Sequence, residues 1–202
     1  MPELKAFLAG GGEMGARIRD HCWEANPLGP LEAWPQSLRS VLSICLRSNE
    51  ATAVYWGPEF RLIYNDGWSA YLGARHPAAL GEPAAEVMSD IWPVMERQFR
   101  LAYEEARTVN AVDTLLVRTR DGTRYDSWWS YSLIPVGSED GGIGGPMVQA
   151  RETTAQVLRA RQDALMLRLA EQLRLLRDPS RIVEAAVELI GEVLDTGRIG
   201  YA

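Results

Sequence analysis

The chain has 202 residues, 47% of them hydrophobic, and a net charge of -6. This length can bury a full core and suggests one domain with attachments, or one and a half domains. The acidic balance disfavours nucleic acid as a partner, and no apolar run approaches the ~20 residues that cross a bilayer. The N-terminus lacks the pattern of an export signal, and Cys22 and Cys45 lack metal-ligand spacing. We therefore expect a cytoplasmic protein that is not attached to a membrane.

Residues 1–50 predict a helical extension. Met14, Ile18 and Cys22 recur at helical spacing, and Pro35 suits an early position in a second helix. That second helix presents an apolar stripe formed by Leu38, Val41, Leu42, Cys45 and Leu46. We expect it to cap the domain that follows.

The pattern of residues 51–153 predicts the domain that follows this extension. The segments 51–56 and 60–64 are short β-rich runs that read as a hairpin. Asn65-Asp66 can cap a helix that ends at Leu72, and Pro93 can start a longer helix. Three strands follow, from about Asn110 to Arg151.

The last three strands run directly into a helix. Asp121-Gly122 predicts a hairpin turn, and the residues after Tyr125 alternate between an apolar and a more polar face. Pro135 is expected to end that strand. The glycines of the segment 141–145 predict a second turn, and residues 147–151 predict the last strand.

A capping box marks the start of the helix. Thr153 is followed three residues later by Gln156, the spacing at which a hydroxyl and an amide side chain cap a helix N-terminus. A movement of the sheet would then be transmitted to the helix.

This order of elements resembles the PAS fold. The segments WGPEFRLIYNDGW, HPAALGEPAAEVMSDIW, RDGTRYDSWW and GGPMVQARETT, in that order, resemble the N-terminal PAS domain of bacterial sensor histidine kinases. The resemblance covers roughly residues 7–177. It implies an α+β fold: a five-stranded antiparallel sheet with helices on one face, an N-terminal helical extension and a long C-terminal linker helix.

A second resemblance concerns residues 178–202, DPSRIVEAAVELIGEVLDTGRIGYA, which look like the start of a GAF domain. A GAF domain needs far more residues than these. We therefore expect the chain to be part of a longer protein whose kinase region lies elsewhere.

Residues 154–177 predict a signalling helix of about 36 Å, at 1.5 Å per residue. Its apolar residues recur at the spacing of a two-stranded coiled coil, and the polar residue Gln162 occupies one position of the same series. We define the predicted seam as Leu158, Leu165, Leu169, Leu173 and Leu176. A parallel homodimer is the favoured interpretation, and packing of this helix on its own domain is the alternative.

Strand parity suggests where a small ligand would bind. Side chains that face inward from the predicted strands, mostly apolar with a few polar groups, are typical of a ligand pocket. The candidates are Val54, Leu62, Tyr64, Leu116, Trp129 and Tyr131.

No motif indicates a cofactor, so the cofactor stays unknown. Gly10, Gly12 and Gly15 satisfy G-x-G-x-x-G, but no βαβ unit surrounds them, and a flexible turn is the favoured interpretation. His21 or His76 could be a haem ligand, and Cys22 could attach a tetrapyrrole, although no accompanying residue supports either. The Asn-Cys-Arg motif of flavin-binding light sensors is absent.

The leading hypothesis is a non-catalytic input module. It would sense a ligand or redox state and relay it through the linker helix to a GAF domain and a histidine kinase, which would phosphorylate a response regulator. A ligand-free PAS dimerisation and relay module is the main alternative, and a nucleotide-cofactor enzyme is the third.

Overall fold

Residues 7–120 and 122–175 are described by this computed structural model, and within them the chain forms six α-helices and five β-strands. The strands are β1 (Thr52–Trp56), β2 (Arg61–Tyr64), β3 (Val109–Arg120), β4 (Thr123–Gly137) and β5 (Ile143–Glu152). The helices are α1 (Gly12–Asp20), α2 (Gln36–Arg47), α3 (Asp66–Leu72), α4 (Ala84–Val87), α5 (Trp92–Glu104) and α6 (Thr154–Leu175).

The strands form one sheet in the order β2-β1-β5-β4-β3. Strand β1 pairs antiparallel with β2 on one side and with β5 on the other. The sequence of two strands, three helices, three strands and an exit helix is the predicted one. The α+β, PAS-like fold class is therefore confirmed, including the helical extension and the long exit helix.

Packing divides the chain into two compact units. Within the described residues, the first unit joins residues 7–112 to residues 130–151, and the second joins residues 113–120 and 122–129 to residues 152–175. In the first unit, the N-terminal extension shares its packing with the strands and helices of the PAS-like core. The described part of the second unit contains the β3–β4 hairpin and α6.

The two faces of β1 and β2 are both covered. Val54 and Ile63 are opposite partners in the ladder and are completely buried, and α2 packs against both strands. Tyr55 and Leu62 are also opposite partners, so their side chains share the other face. Helix α2 of the extension thus covers one face of β1 and β2.

Strand β4 continues through Pro135, which was expected to end it. Ser132 Oγ donates a hydrogen bond to Asn110 Oδ1 over 2.6 Å, which places Pro135 beyond Val109, the first residue of β3. The N–H that proline lacks is therefore not needed by a β3 partner. The proline is tolerated because β4 is longer than its neighbour.

Gly144 and Gly145 belong to β5, where the sequence predicted a turn. A side chain on Gly144 would overlap the Trp56 ring, and one on Gly145 would overlap the Tyr55 carbonyl oxygen. The glycines allow β5 to approach β1 closely. Glycine is therefore required at these two positions because β5 lies close to β1, and not because the chain turns there.

Helix α6 begins at the predicted place, but its predicted capping box is wrong. Thr153 Oγ1 is buried and has no hydrogen-bond partner among the described residues, whereas the Thr153 carbonyl accepts from Val157 N over 2.9 Å. The hydroxyl that makes hydrogen bonds here is that of Thr154.

None of the helices in residues 7–120 and 122–175 has the length and apolar character that a membrane span requires.

Candidate functional site

The inner face of β1 and β2 lies against an aromatic cluster. The Tyr55 and Phe99 ring centroids are 4.8 Å apart with perpendicular planes, and the Phe60 and Phe99 centroids are 5.3 Å apart. Trp92 lies 5.4 Å from Phe99, and the Tyr55 hydroxyl lies 3.6 Å from Met88 Sδ. Edge-to-face packing of this kind fills the space between the sheet and α5 with rings in favourable geometry.

Four of the six predicted pocket residues belong to the first unit. Leu62 and Tyr64 lie on the inner face with Tyr55, and both are completely buried. Val54 does not join them, because its ladder partner is Ile63 and its side chain points to the opposite face, towards the N-terminal extension. Tyr131 is buried, and its hydroxyl donates to Gln98 Oε1 on α5 over 2.9 Å.

The other two predicted pocket residues, Leu116 and Trp129, lie in the second unit and are both buried. Trp129 Nε1 donates to Ser127 Oγ over 2.8 Å, and that hydroxyl donates to the Leu116 carbonyl over 3.0 Å. The Arg118 guanidinium lies 5.5 Å from the Trp129 ring centroid, within cation–π range. Both residues therefore belong to a polar and aromatic network. That the six residues bind a ligand stays a prediction.

A groove of about 450 Å³ opens in the first unit. Among the predicted pocket residues, only Tyr131 lines it. Most of the residues that line it have polar side chains: Glu50, Asn110, Ala111, Val112, Ser130, Tyr131, Ser132, Gln149, Ala150 and Arg151. Strand alternation predicts an inner pocket and gives no signal for this groove.

A second polar cluster joins the inner face of β2 to the extension. The Tyr64 hydroxyl is hydrogen-bonded to His76 Nδ1 over 3.0 Å, and His76 Nε2 lies 3.8 Å from Glu13 Oε1 on α1. Burial raises the pKa of Tyr64 to about 12, so the phenol is neutral at ordinary pH. Sequence spacing gives no sign of this cluster.

The glycine motif is explained by helix capping. Asp66 Oδ1 accepts from Met14 N over 2.7 Å and Asp66 Oδ2 accepts from Glu13 N over 3.0 Å, so a carboxylate occupies the N-terminus of α1. Gly12 has φ of 61°, and a side chain there would overlap that carboxylate. The N–H groups that would bind a phosphate are thus already satisfied. This removes the observation that favoured a nucleotide.

The two cysteines and His21 each contact neighbouring groups of the protein. Burial raises the pKa of Cys45 to about 12, which keeps its thiol protonated, and its Sγ lies 3.3 Å from the Thr52 carbonyl oxygen. Cys22 is exposed, and its Sγ lies 3.6 Å from Glu24 Oε2. The His21 ring packs against Trp23, with centroids 4.4 Å apart. The described residues contain no group of His, Cys, Asp and Glu side chains arranged to hold a metal ion.

The junction between the sheet and α6 is tied to Trp128 on β4. Thr153 N donates to the Trp128 carbonyl over 2.7 Å, and Trp128 N donates to Thr154 Oγ1 over 3.0 Å. The Arg161 guanidinium, two turns into α6, lies 4.9 Å from the Trp128 ring centroid. Main-chain and side-chain contacts therefore hold the start of α6 to one residue of the sheet. The sequence identified this junction but not Trp128 as its centre.

The predicted seam lies on α6 as far as that helix is described. Leu158 is exposed and Leu165 is partly exposed. Leu169 and Leu173 lie within the bounds of α6, whereas Leu176 and the predicted GAF segment 178–202 fall outside the described residues.

No protein-family model matches the sequence, and a comparison with curated proteins found no match. Solved structures with similar parts include an RNA-binding light-oxygen-voltage receptor, with 20% identity, a TM-score of 0.47, and coverage of 66% of this chain and 38% of that one. A sensory box sensor histidine kinase from Vibrio cholerae has 16% identity, a TM-score of 0.39, and coverage of 57% and 88%. VqmA from Vibrio cholera, in a complex with ligand and DNA, has 16% identity, a TM-score of 0.43, and coverage of 62% and 58%. The chain spans little more than a third of the length of the light-oxygen-voltage receptor.

Proposed function

We propose that this chain is a sensory input module that converts a change in its PAS-like core into a change in α6. The observation that carries the proposal is the set of contacts that Trp128 makes with Thr153, Thr154 and Arg161. Because these contacts fix the helix to the strand, a shift of β4 must either move α6 or break them. A ligand that binds two arrangements with different affinity would change their populations.

The signal is proposed to be a small molecule or a redox state. Tyr131 supports this proposal because it lies on β4, the strand that contains Trp128, and is hydrogen-bonded to α5. A ligand that displaced Tyr131 or Gln98 would act on that strand. The groove lined by Ser130 and Ser132 is a second place where a ligand would touch β4.

In the full-length protein, α6 is proposed to pass the signal to a GAF domain and then to a cytoplasmic histidine kinase with its response regulator. The resemblance of residues 7–177 and 178–202 to those domains supports this organisation. All catalytic residues would then lie outside this chain. A parallel homodimer, formed through the predicted seam, would bring two kinase regions together.

A second candidate is a ligand-free dimerisation and relay module. The aromatic packing around Phe99 favours it, because rings fill the space between the sheet and α5. Both candidates require the dimer, and they differ in whether a ligand is bound.

Light scattering coupled to gel filtration tests the dimer. Leu165→Asp with Leu169→Asp should give a monomer with an unchanged near-ultraviolet circular dichroism spectrum, because a charge in a coiled-coil seam is costly. Leu167→Asp is the matched control, since Leu167 is exposed and lies on α6 outside the predicted seam. A dimer that survives the double substitution would disprove the seam.

Absorption spectra and denaturing mass spectrometry of the purified protein and its extracted supernatant test the sensor. A copurifying small molecule, or a chromophore band, is expected from a ligand sensor. A bare protein whose melting temperature does not respond to haem, flavin mononucleotide or a panel of metabolites would favour the relay module.

A further inference from the structure

The groove in the first unit lies on the outer face of the sheet, opposite to the aromatic cluster. Tyr131 points to α5 on the inner face, so Ser130 and Ser132, its neighbours on β4, point to the outer face. Ser132 Oγ donates to Asn110 Oδ1 over 2.6 Å, which puts Asn110 of β3 on the outer face as well. Ser130, Ser132 and Asn110 all line the groove of about 450 Å³.

The end of the groove at β1 and β5 carries two opposite charges. These strands are antiparallel, and Ala150 N donates to the Ala51 carbonyl over 3.1 Å. The next position in this register places Glu50 opposite Arg151, and both residues line the groove. Both are exposed, and neither forms an ion pair with another residue of the described part of the chain. A carboxylate and a guanidinium are therefore both available to one ligand.

Beyond this charged end, the groove presents uncharged hydrogen-bonding groups. Gln149, Asn110 and the two serines of β4 have amide and hydroxyl groups, which can donate and accept hydrogen bonds. Strand β4 lies next to β5, and neighbouring strands are about 4.8 Å apart, a distance that an extended glutamine side chain covers. The volume of the groove also falls within the range of small-molecule sites, about 300–1,000 Å³.

We infer that this groove binds a free α-amino acid with an uncharged polar side chain. Arg151 binds the α-carboxylate, Glu50 binds the α-ammonium group, and the side chain of the ligand lies over β4 towards Asn110. A ligand with only one of these charges leaves the other protein side chain without its partner, and an apolar ligand side chain leaves the amide and hydroxyl groups without theirs. The role of this site as a signal input rests on the proposed sensory function, whereas binding itself does not.

Isothermal titration calorimetry of the whole chain with L-glutamine tests the site. We expect L-glutamine to bind with a Kd of about 1 mM or tighter. N-acetyl-L-glutamine lacks the ammonium charge, L-glutaminamide lacks the carboxylate, and L-methionine has an apolar side chain of similar length. Each of these three compounds should bind about tenfold more weakly, because each loses hydrogen bonds of one part of the site. If L-glutamine, L-asparagine, L-serine and L-threonine all fail to bind, the inference is wrong.

Substitutions of the two charged residues assign each end of the ligand. Arg151→Gln should weaken L-glutamine binding about tenfold and leave L-glutaminamide binding unchanged, because that compound has no carboxylate. Glu50→Gln should likewise weaken L-glutamine binding and leave N-acetyl-L-glutamine binding unchanged. Arg19→Gln and Glu86→Gln, at exposed positions outside the groove, are the matched controls and should bind all the compounds like the unaltered protein. L-glutamine binding that survives both groove substitutions would overturn the site.

Hydrogen exchange of the α6 amides, with and without L-glutamine, separates this site from the proposed function. Binding that leaves α6 exchange unchanged would support the site and contradict a sensory role for it. Absence of binding would overturn the site, while a different ligand that changed α6 exchange would still support the sensory proposal. If Arg151→Gln weakens only the homodimer, the groove is a contact between copies of the chain and the inference is wrong.

Discussion

At the residue scale, the Asn65 side chain makes five hydrogen bonds within the first unit. The sequence had already indicated this residue. Its Oδ1 accepts from Thr52 N and from Trp68 N, each over 3.0 Å. Its Nδ2 lies within 3.2 Å of the carbonyls of Cys45, Ser48 and Glu50. One amide thus connects the end of α2, the start of β1 and the N-terminus of α3. The sequence predicted Asn65 as a helix cap, which the structure confirms, but not its bonds to α2.

We predict that Asn65→Ala lowers the free energy of unfolding by about 3 kcal/mol, because it removes a helix cap and leaves buried N–H and carbonyl groups unpaired. For a domain of this size, the melting temperature should fall by about 6–12 °C. Differential scanning calorimetry would measure the change. The control is Asn110→Ala on the exposed side of β3, for which we expect at most about 0.5 kcal/mol. Equal effects of the two substitutions would disprove the special role of Asn65.

At the element scale, both helices of the extension are capped by carboxylates of the core. Neither α1 nor α2 has a side-chain cap from its own N-cap residue. Asp66 supplies the acceptors for α1, and Glu139, in the β4–β5 loop, accepts from Ser37 N over 2.7 Å and Ser37 Oγ over 2.8 Å for α2. Negative charge at a helix N-terminus also interacts favourably with the helix dipole. The extension therefore depends on the core for its helix ends.

We predict that Glu139→Gln destabilises the protein at neutral pH and that this difference disappears in acid. The Ser37 backbone N–H, and then its hydroxyl, lower the pKa of Glu139 below 4.5. A carboxyl whose pKa is lowered on folding contributes stability above its unfolded pKa and loses it as the pH falls through the folded value. Melting curves of the two proteins should thus differ at pH 7 and converge as the pH falls below 4.5.

The control for this prediction is Glu86→Gln, an exposed carboxylate in the short helix α4. It should change the melting temperature little, and by the same amount across the pH range. A difference between the unaltered protein and Glu139→Gln that persists undiminished in acid would mean that the charge of Glu139 does not act through α2.

At the scale of the whole molecule, local patterns predicted the elements and failed where distant segments meet. The hairpin of β1 and β2, the cap at Asn65 and the start of α6 follow from alternation, capping residues and periodicity. The position of Val54 required the β1–β2 register, which shows it opposite Ile63. Asp113 has φ of 45° within β3, a conformation that local sequence does not reveal and that alters the alternation on which face assignment depends. The Trp128 junction and the two core-supplied caps join residues far apart in sequence, so no local pattern could indicate them.

The same long-range contacts predict how the chain can be divided. We expect residues 51–153 alone to fail to fold, although the sequence suggests a domain boundary at residue 50. Without α1 and α2, Val54 and Ile63 would exchange complete burial for exposure, and Asn65 would lose its bond to Cys45. Exposing a buried aliphatic side chain costs about 1.5–3 kcal/mol, so the loss of several approaches the whole stability of an ordinary domain. Residues 7–153, which restore the extension, are the matched control and should give a dispersed nuclear magnetic resonance spectrum and a cooperative melt. If residues 51–153 also gave both, the extension would be a separable attachment, and the caps supplied by Asp66 and Glu139 would serve only to hold it there.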